Sequence, residues 1–154
     1  MEQEVNTRGV SERHARLILE SYERLLGKPL VHVNAQRSAA SQLFEAPFVV
    51  LSHGTQSDPV LNYGNRAALQ LWEMSEERFT QTASRHTAEP LIQAERQRFL
   101  EAVNEKGYID DYSGIRISSS GRRFRIENAI VWNLTDEAGV YYGQAAAFAS
   151  HTFV

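Results

Sequence analysis

The last third of the chain constrains its fold most, because three alternating stretches follow one another with only short turns between them. Residues 108–117 and 123–133 flank the tetrapeptide Ser-Ser-Ser-Gly at 118–121, and a turn at 134–139 leads to residues 140–148. Connections of this length join antiparallel neighbours. The sequence therefore predicts three consecutive antiparallel strands.

Shorter elements precede these strands. Apolar runs at 48–51 and 60–63, rich in β-branched and aromatic residues, predict two short strands. Asn65 and Ser75 each stand where an N-cap opens a short helix, and a longer helix ends at Gly107 as its C-cap. Helices grouped against one antiparallel sheet form an α+β layout.

An amphipathic helix is predicted at residues 11–27, with Ser11 as its N-cap and Gly27 at its end. Its apolar stripe, which repeats at about 3.6-residue spacing, consists of Ala15, Leu17, Ile18, Leu19, Tyr22, Leu25 and Leu26. A second, shorter helix is predicted at 36–45. Because such a stripe must be buried, the first helix needs a covering surface in this chain or in a partner.

Composition narrows the function of this 154-residue chain. Hydrophobic residues make up 42% of the chain, which supports one domain with a core. The net charge is −3, whereas a protein that binds nucleic acid directly usually has an excess of basic residues. The absence of cysteine excludes disulfides, thiolate zinc sites and cysteine nucleophiles. Residues 1–9 are polar, without an apolar run for export or membrane insertion, which predicts a cytoplasmic protein.

Several short motifs carry a resemblance to a known family. They are Phe44-Glu45-Ala46-Pro47, Ser52-His53-Gly54-Thr55, Asn62-Tyr63-Gly64-Asn65, Leu71-Trp72-Glu73, Ser84-Arg85 with Thr87-Ala88-Glu89-Pro90, Asp111-Tyr112-Ser113-Gly114, Ser120-Gly121-Arg122-Arg123-Phe124 and Trp132-Asn133-Leu134. Together they resemble the MEKHLA domain, a PAS-related family found as small free-standing bacterial proteins and in plant homeodomain–leucine zipper factors. The chain has neither a homeodomain nor a zipper, so any role at DNA would be indirect.

The resemblance implies a PAS-like fold, a five-stranded antiparallel sheet covered by helices with an N-terminal helical extension. We predict the extension at residues 1–43 and the PAS-like MEKHLA domain at residues 44–154. The resemblance also implies a sensory module that binds a small organic ligand between the sheet and the helices. Such a module would signal through a homodimer or a partner protein, and we expect the dimer to form through the N-terminal helix.

The strand at 123–133 predicts how the sheet is covered. Strict alternation would place Phe124, Ile126, Asn128, Ile130 and Trp132 on one face, and Arg123, Arg125, Glu127, Ala129, Val131 and Asn133 on the other. Neither set is uniformly polar, which predicts helices on both sides of the sheet. The N-terminal helix would cover one face of its own sheet or of a partner's.

No cofactor can be named from the sequence. The five histidines are far apart, which favours structural or surface roles over a metal site. Haem needs one axial histidine. The PAS resemblance implies a position for that ligand on the long helix, which holds no histidine, so His86 just ahead of the helix is the residual candidate. Flavin photochemistry of the LOV type needs a cysteine, which the chain lacks, and no Gly-rich phosphate loop is present.

The hairpin carries a cluster of four arginines, Arg116, Arg122, Arg123 and Arg125, with Arg85 expected nearby. Their guanidinium forks could bind an anionic ligand, or they could pair with Glu127 and Asp111 on a solvated hairpin. Gln144 precedes three alanines, whose small side chains would leave space under the helices.

The predicted ligand-binding residues combine aromatic, cationic and amide side chains. They are Tyr63, Trp72, Phe79, Arg85, His86, Tyr112, Arg125, Asn128, Trp132 and Gln144. Small-molecule sites are mostly apolar with a few aimed polar groups, although aromatic residues of this kind also form ordinary cores.

Two other functions are consistent with the sequence. One is a ligand-free dimerisation or protein-interaction module with a filled core. The other is a cone-shaped enzyme of the ketosteroid-isomerase kind, in which Asp110 or Asp111 would act with Tyr63, Tyr112 and His86. Adjacent residues of a strand point to opposite faces, so Asp110 and Asp111 cannot both serve one pocket. The sequence therefore favours a binding module over an enzyme.

Overall fold

The computed structural model of the protein describes residues 12–154. The helices are α1 (Glu12–Leu26), α2 (Ala39–Phe44), α3 (Arg66–Trp72), α4 (Glu76–Phe79) and α5 (Gln93–Lys106), with a short 3-10 helix at Ser84–Thr87. The strands are β1 (Val49–His53), β2 (Leu61–Gly64), β3 (Tyr108–Ile117), β4 (Arg123–Thr135), β5 (Tyr141–Phe148) and β6 (His151–Phe153). The predicted N-cap Ser11 lies outside the described residues.

The strands form one antiparallel sheet in the order β2-β1-β5-β4-β3. Strand β5 lies at the centre, where Ala146 pairs with Leu51 of β1 on one side and with Val131 of β4 on the other. The predicted α+β, PAS-like fold is confirmed. The prediction of five strands missed β6, which pairs with the first part of β4 through Phe124 and Phe153.

Local signals for the ends of helices are confirmed. The side chains of Asn65 and Ser75 accept hydrogen bonds from the backbone N–H groups of Ala68 and Arg78, as N-caps do. Gly107 ends α5 in the left-handed conformation, with φ at 84°. The capping hydrogen bonds join residues close in sequence, which is why the sequence reveals them.

Helices α1 and α2 cover one face of the sheet. Ile18 and Tyr22 of α1 pack on Trp132, with the two aromatic rings 4.9 Å apart and edge-on. The indole N–H of Trp132 donates to the carbonyl of Ile18 across 3.2 Å. Leu43 of α2 joins the same buried cluster.

The apolar stripe of α1 is therefore covered by the chain's own sheet. A homodimer through that stripe would require α1 to leave the sheet, so the reason for predicting a dimer at this helix no longer holds. The core also runs across the predicted boundary between residues 43 and 44, because Leu43 packs in one cluster with Val50. The division into two parts stays a prediction.

The opposite face is covered by α3, α4 and α5. Trp72 of α3 is fully buried there, with its ring edge-on to Phe79, Phe124 and Phe148 at 5.3–6.3 Å. Helix α5 contributes less to the core, since Val103 is its one buried residue. No helix within residues 12–154 is long and apolar enough to cross a membrane.

A β-bulge at Asn128 changes which residues of β4 share a face. Asn128 has φ at 56°, and the pairing with β3 gains one residue between Ile126 and Ala129. Phe124, Ile126, Ala129 and Val131 consequently face α3 and α5, whereas Ile130, Trp132 and Leu134 face α1. The strict alternation predicted for this strand is wrong beyond residue 127, because alternation cannot continue through an inserted residue.

Candidate ligand cavity

A cavity of about 210 Å³ lies between the sheet and the helices of the α5 side. Its walls come from five strands, β1 to β5, from the 3-10 helix and from α5. The lining residues are Leu51, Ser52, His53, Leu61, Ser84, Phe99, Tyr112, Arg116, Val131, Gln144, Ala145 and Ala146. Small side chains on β5 leave this space, because Ala146 occupies the position that faces α5.

One end of the cavity carries neutral polar groups. Gln144 and Asn133 pair across β5 and β4, and the Gln144 amide N–H donates to the Asn133 side-chain oxygen across 3.1 Å. His53 Nδ1 lies 2.9 Å from the carbonyl oxygen of Gly54. Since a carbonyl can only accept, Nδ1 is the donor in this contact, and Nε2 is left for a further partner.

A cation and two aromatic rings form another part of the wall. The Arg116 guanidinium lies over the ring of Tyr112, 5.4 Å from its centre, and donates to the Tyr112 hydroxyl across 3.2 Å. Phe99 of α5 meets the same ring edge-on at 5.5 Å. Tyr112 is thus fixed between α5 and Arg116.

Helix α5 rests on this wall through few contacts. Besides Phe99 and Val103, it is attached by Arg98, which donates to both carboxylate oxygens of Asp111 at 3.1 and 3.2 Å. That ion pair is exposed and contributes little to stability. Because only one residue of α5 is buried, we expect this helix to open more readily than the core.

The chain matches a known protein family over most of its length. A family model described as the MEKHLA domain matches residues 12–153. The chain belongs to the MEKHLA domain family. The match includes α1 and α2 as well as the sheet. No curated protein sequence matches the chain significantly.

Solved structures similar to this MEKHLA domain are PAS and LOV domains. The PAS domain of a protein from Colwellia psychrerythraea has a TM-score of 0.59 at 11% identity, covering 79% of this chain and 98% of that one. A fungal LOV domain photoreceptor has a TM-score of 0.59 at 12% identity, covering 100% of this chain and 99% of that one. A PAS domain from a two-component sensor histidine kinase has a TM-score of 0.54 at 17% identity, covering 75% of this chain and 93% of that one. The likeness shows the fold.

The cavity of the MEKHLA domain brings together two of the ten predicted ligand residues, Tyr112 and Gln144. Trp72 and Phe79 lie on the same side of the sheet but are fully buried in the adjoining core. Tyr63 and Trp132 face α1, on the opposite side. These four do not line the cavity.

The remaining four predicted residues are exposed. Arg85 pairs with Asp58 at 3.0 Å, and His86 lies on the surface of the 3-10 helix. Arg125 and Asn128 lie on the exposed side of β4. Because Tyr63, Tyr112 and His86 are held apart in this way, the acid–base site considered for an enzyme is not assembled. Within residues 12–154 no cluster of metal-ligating side chains occurs.

Sequence reasoning missed His53, Ser84, Phe99 and Arg116 as cavity residues. His53 follows Val49 and Leu51 at two-residue spacing on β1, and Arg116 follows Tyr112 in the same way on β3. That periodicity could have placed them on the cavity face. The position of Ser84 depends on the chain path after α4, which has no local signal.

A second polar group lies on the α1 side of the sheet. His14 Nε2 is 3.1 Å from the Ser52 hydroxyl, which donates to the side-chain oxygen of Asn62. Burial lowers the pKa of His14, and burial followed by the nearby Glu76 carboxylate raises the pKa of Tyr63. Both shifts keep these side chains neutral, as expected of groups inside a core.

A larger groove, of about 920 Å³, lies between α1 and the β4–β5 turn. Charged residues make up much of its wall, among them Glu12, Arg13, Arg16 and Glu20 of α1. It lies on the outside of the domain, so we assign the candidate site to the smaller cavity, whose wall combines apolar and polar groups inside the fold.

Proposed function

We propose that this MEKHLA domain is a non-enzymatic sensory module that binds a small organic molecule in the 210 Å³ cavity. The observation that carries the proposal is space left between tightly packed layers. Trp72 and Trp132 are fully buried on the two sides of the sheet, yet the position of Ala146 is left open. A concave recess between a sheet and its covering helices is a common place for a small-molecule site.

The polar groups in the wall support a ligand rather than a dry void. His53 Nε2 and Gln144 Oε1 have no hydrogen-bond partner among the described residues, and both belong to side chains that line the cavity. Empty cavities in proteins are apolar, whereas polar ones hold water or a ligand. A few aimed polar groups in a mainly apolar wall are typical of small-molecule sites.

Helix α5 is the element we propose to respond to the ligand. Phe99 reaches from α5 into the cavity wall, while Val103 is the one buried residue of the helix. A ligand that contacts Phe99 would therefore change the position of an element that is weakly held. The exposed side of α5 would carry that change to a partner protein or a second copy of the chain.

Release of a bound molecule tests the proposal. Protein purified under native conditions and then denatured is expected to release one small molecule per chain, detectable by mass spectrometry. Ala146→Leu should abolish the release because it fills the cavity. Ala94→Leu is the matched control, since Ala94 is exposed on α5 and away from the cavity. Equal amounts from the wild type and Ala146→Leu would count against a ligand site.

A ligand-free interaction module is a second candidate, favoured by exposed apolar side chains on α5. Ile92 is 70% exposed just before the helix and Leu100 is 50% exposed within it. Large apolar groups of this exposure suit a contact with another protein. If α5 forms such a contact between two copies, Leu100→Glu should convert a dimer to a monomer in light scattering, whereas Glu101→Gln should not.

A further inference from the structure

The wall of the cavity is electrostatically one-sided. Arg116 brings a permanent positive charge to it, and the lining residues include no aspartate or glutamate. None of its other polar members, such as Ser84 and Gln144, carries a negative charge. A cation in a partly enclosed wall raises the local concentration of anions.

Arg116 has no carboxylate ion-pair partner among residues 12–154, in contrast to Arg98 and Arg123. Arg98 is bound to Asp111 at 3.1 Å, and Arg123 to Glu89 at 2.5 Å. The partners of Arg116 are the hydroxyl and the ring of Tyr112, which are uncharged. A guanidinium has five N–H donors, so this single bond leaves most of them unused.

The ring of Tyr112 holds the guanidinium in place before any ligand arrives. Arg116 lies over the ring at 5.4 Å, and Phe99 meets the same ring edge-on at 5.5 Å. A fixed planar fork loses little further freedom when it binds a planar anion in two-point fashion. The arrangement suits a carboxylate better than a hydroxyl or an amide.

We propose that the ligand of this cavity is a small organic acid whose carboxylate pairs with Arg116. The inference rests on the proposed function, since it names the class of molecule that the sensory cavity would bind. Leu51, Leu61, Phe99, Val131 and Ala146 would surround an apolar body of the acid. His53 and Gln144 would meet any polar group on that body.

The size of the cavity limits the acid to a compact one. Pockets for drug-sized ligands measure roughly 300–1,000 Å³, and this cavity measures about 210 Å³. A flavin nucleotide or a haem would not fit without displacing α5. Short-chain aliphatic acids and single-ring aromatic acids have the appropriate size.

Matched acids and amides test the inference on the full chain. The probes are benzoate with benzamide and hexanoate with hexanamide, which share their apolar bodies but differ in charge. Calorimetric titration and thermal shift are expected to show at least one acid binding about tenfold or more tightly than its amide. Arg116→Met should lower the affinity for that acid by about ten- to a hundredfold without changing the affinity for the amide.

Two further variants make the result specific. Arg96→Met removes an exposed arginine of α5 that lies outside the cavity, and should leave acid binding unchanged. Arg116→Lys keeps the charge but not the fork, and should bind the acid with intermediate affinity. The unliganded Tm of each variant shows that it is folded.

Other outcomes separate this inference from the proposed function. If amides bind as tightly as acids and Arg116→Met changes neither, while Ala146→Leu abolishes both, the cavity is a ligand site but not one for acids. If neither probe class binds at millimolar concentration, the organic-acid inference is overturned. The proposed function is then decided by whether natively purified protein releases a molecule.

Discussion

The indole N–H of Trp132 donates a hydrogen bond to the backbone carbonyl of Ile18 across 3.2 Å, which joins the central part of the sheet to α1. Both residues are fully buried, and Tyr22 packs edge-on against the same indole. Residues before the predicted boundary at 43 therefore belong to the core that the sheet organises. Helix α1 acts as a layer of this domain.

Replacing Trp132 with phenylalanine should destabilise the domain by about 2 kcal/mol, from the lost hydrogen bond and the smaller ring. Urea unfolding followed by circular dichroism measures the change. Tyr141→Phe is the control, because Tyr141 is 47% exposed and should change stability by less than about 0.5 kcal/mol. If both variants unfold at the wild-type midpoint, α1 is not held through Trp132.

Asn65→Ala should destabilise the domain by about 3–5 kcal/mol, because this buried side chain links several elements. Its oxygen accepts from the N–H groups of Val50 and Ala68, and its amide donates to the carbonyls of Leu43 and Phe48. All four backbone groups would lose a partner inside the protein. The loss should appear as a lower urea midpoint with an unchanged slope.

Ser75→Ala is the matched control for the Asn65 substitution. Ser75 is also an N-cap, but it is exposed and its side chain satisfies one backbone group, the N–H of Arg78. Loss of an exposed cap costs about 1 kcal/mol. Equal effects of the two substitutions would contradict the assignment of Asn65 as a link between β1, α2 and α3.

The sequence predicted what local chemistry determines. Asn65 and Ser75 begin helices and Gly107 ends one, each through capping bonds to residues close in sequence, so these caps are visible in a single sequence. The bulge at Asn128 was not predicted, because an asparagine within a strand can adopt positive φ there or simply lie at an exposed position. Because the prediction omitted this inserted residue, it placed the residues of β4 that follow Asn128 on the wrong faces of the sheet.

The candidate site was less predictable because it is assembled across strands. Tyr112 and Gln144 were found from residue type, but Arg116 could not be distinguished from Arg125 by charge alone. What separates the two arginines is the strand register, which turns Arg116 towards Tyr112 and leaves Arg125 exposed. Register follows from the pairing of whole strands, which residue type does not reveal.

Glu12 should make the stability of the domain depend on pH in the acid range. Its carboxylate accepts from the N–H groups of Ala39 and Ala40 at 2.9 and 3.0 Å, and Arg16 lies 3.2 Å away. Burial alone would raise the pKa of Glu12, but these hydrogen bonds and the arginine outweigh it and lower the pKa from its ordinary 4.5. The contact joins α1 to the start of α2.

The sign of the pH effect follows from proton binding. Because the pKa is lower in the folded state, Glu12 stabilises that state above pH 4.5, and the contribution is lost as pH falls through the folded pKa. Glu12→Gln should thus be less stable than the wild type at neutral pH, and the gap should close in stronger acid. Glu20→Gln, an exposed change on the same helix, should show no such gap.

Gly143→Ala should destabilise the domain and disturb the cavity together. Gly143 has φ at 127°, and a Cβ there would collide with the backbone oxygen of His53. Its neighbour Gln144 and His53 both line the cavity, so moving β5 away from β1 would separate these two polar groups. We expect a loss of about 3 kcal/mol or more in urea unfolding, since the backbone itself must shift.

Gly139→Ala separates backbone strain from the collision. Gly139 also has positive φ, at 85°, but nothing lies within 4 Å of a Cβ built there. The substitution should therefore cost about 1–2 kcal/mol from strain alone. It should also leave the release of a bound molecule unchanged, while Gly143→Ala reduces it. If the two variants were equally stable and released equal amounts, the close approach of β5 to His53 would not shape the cavity.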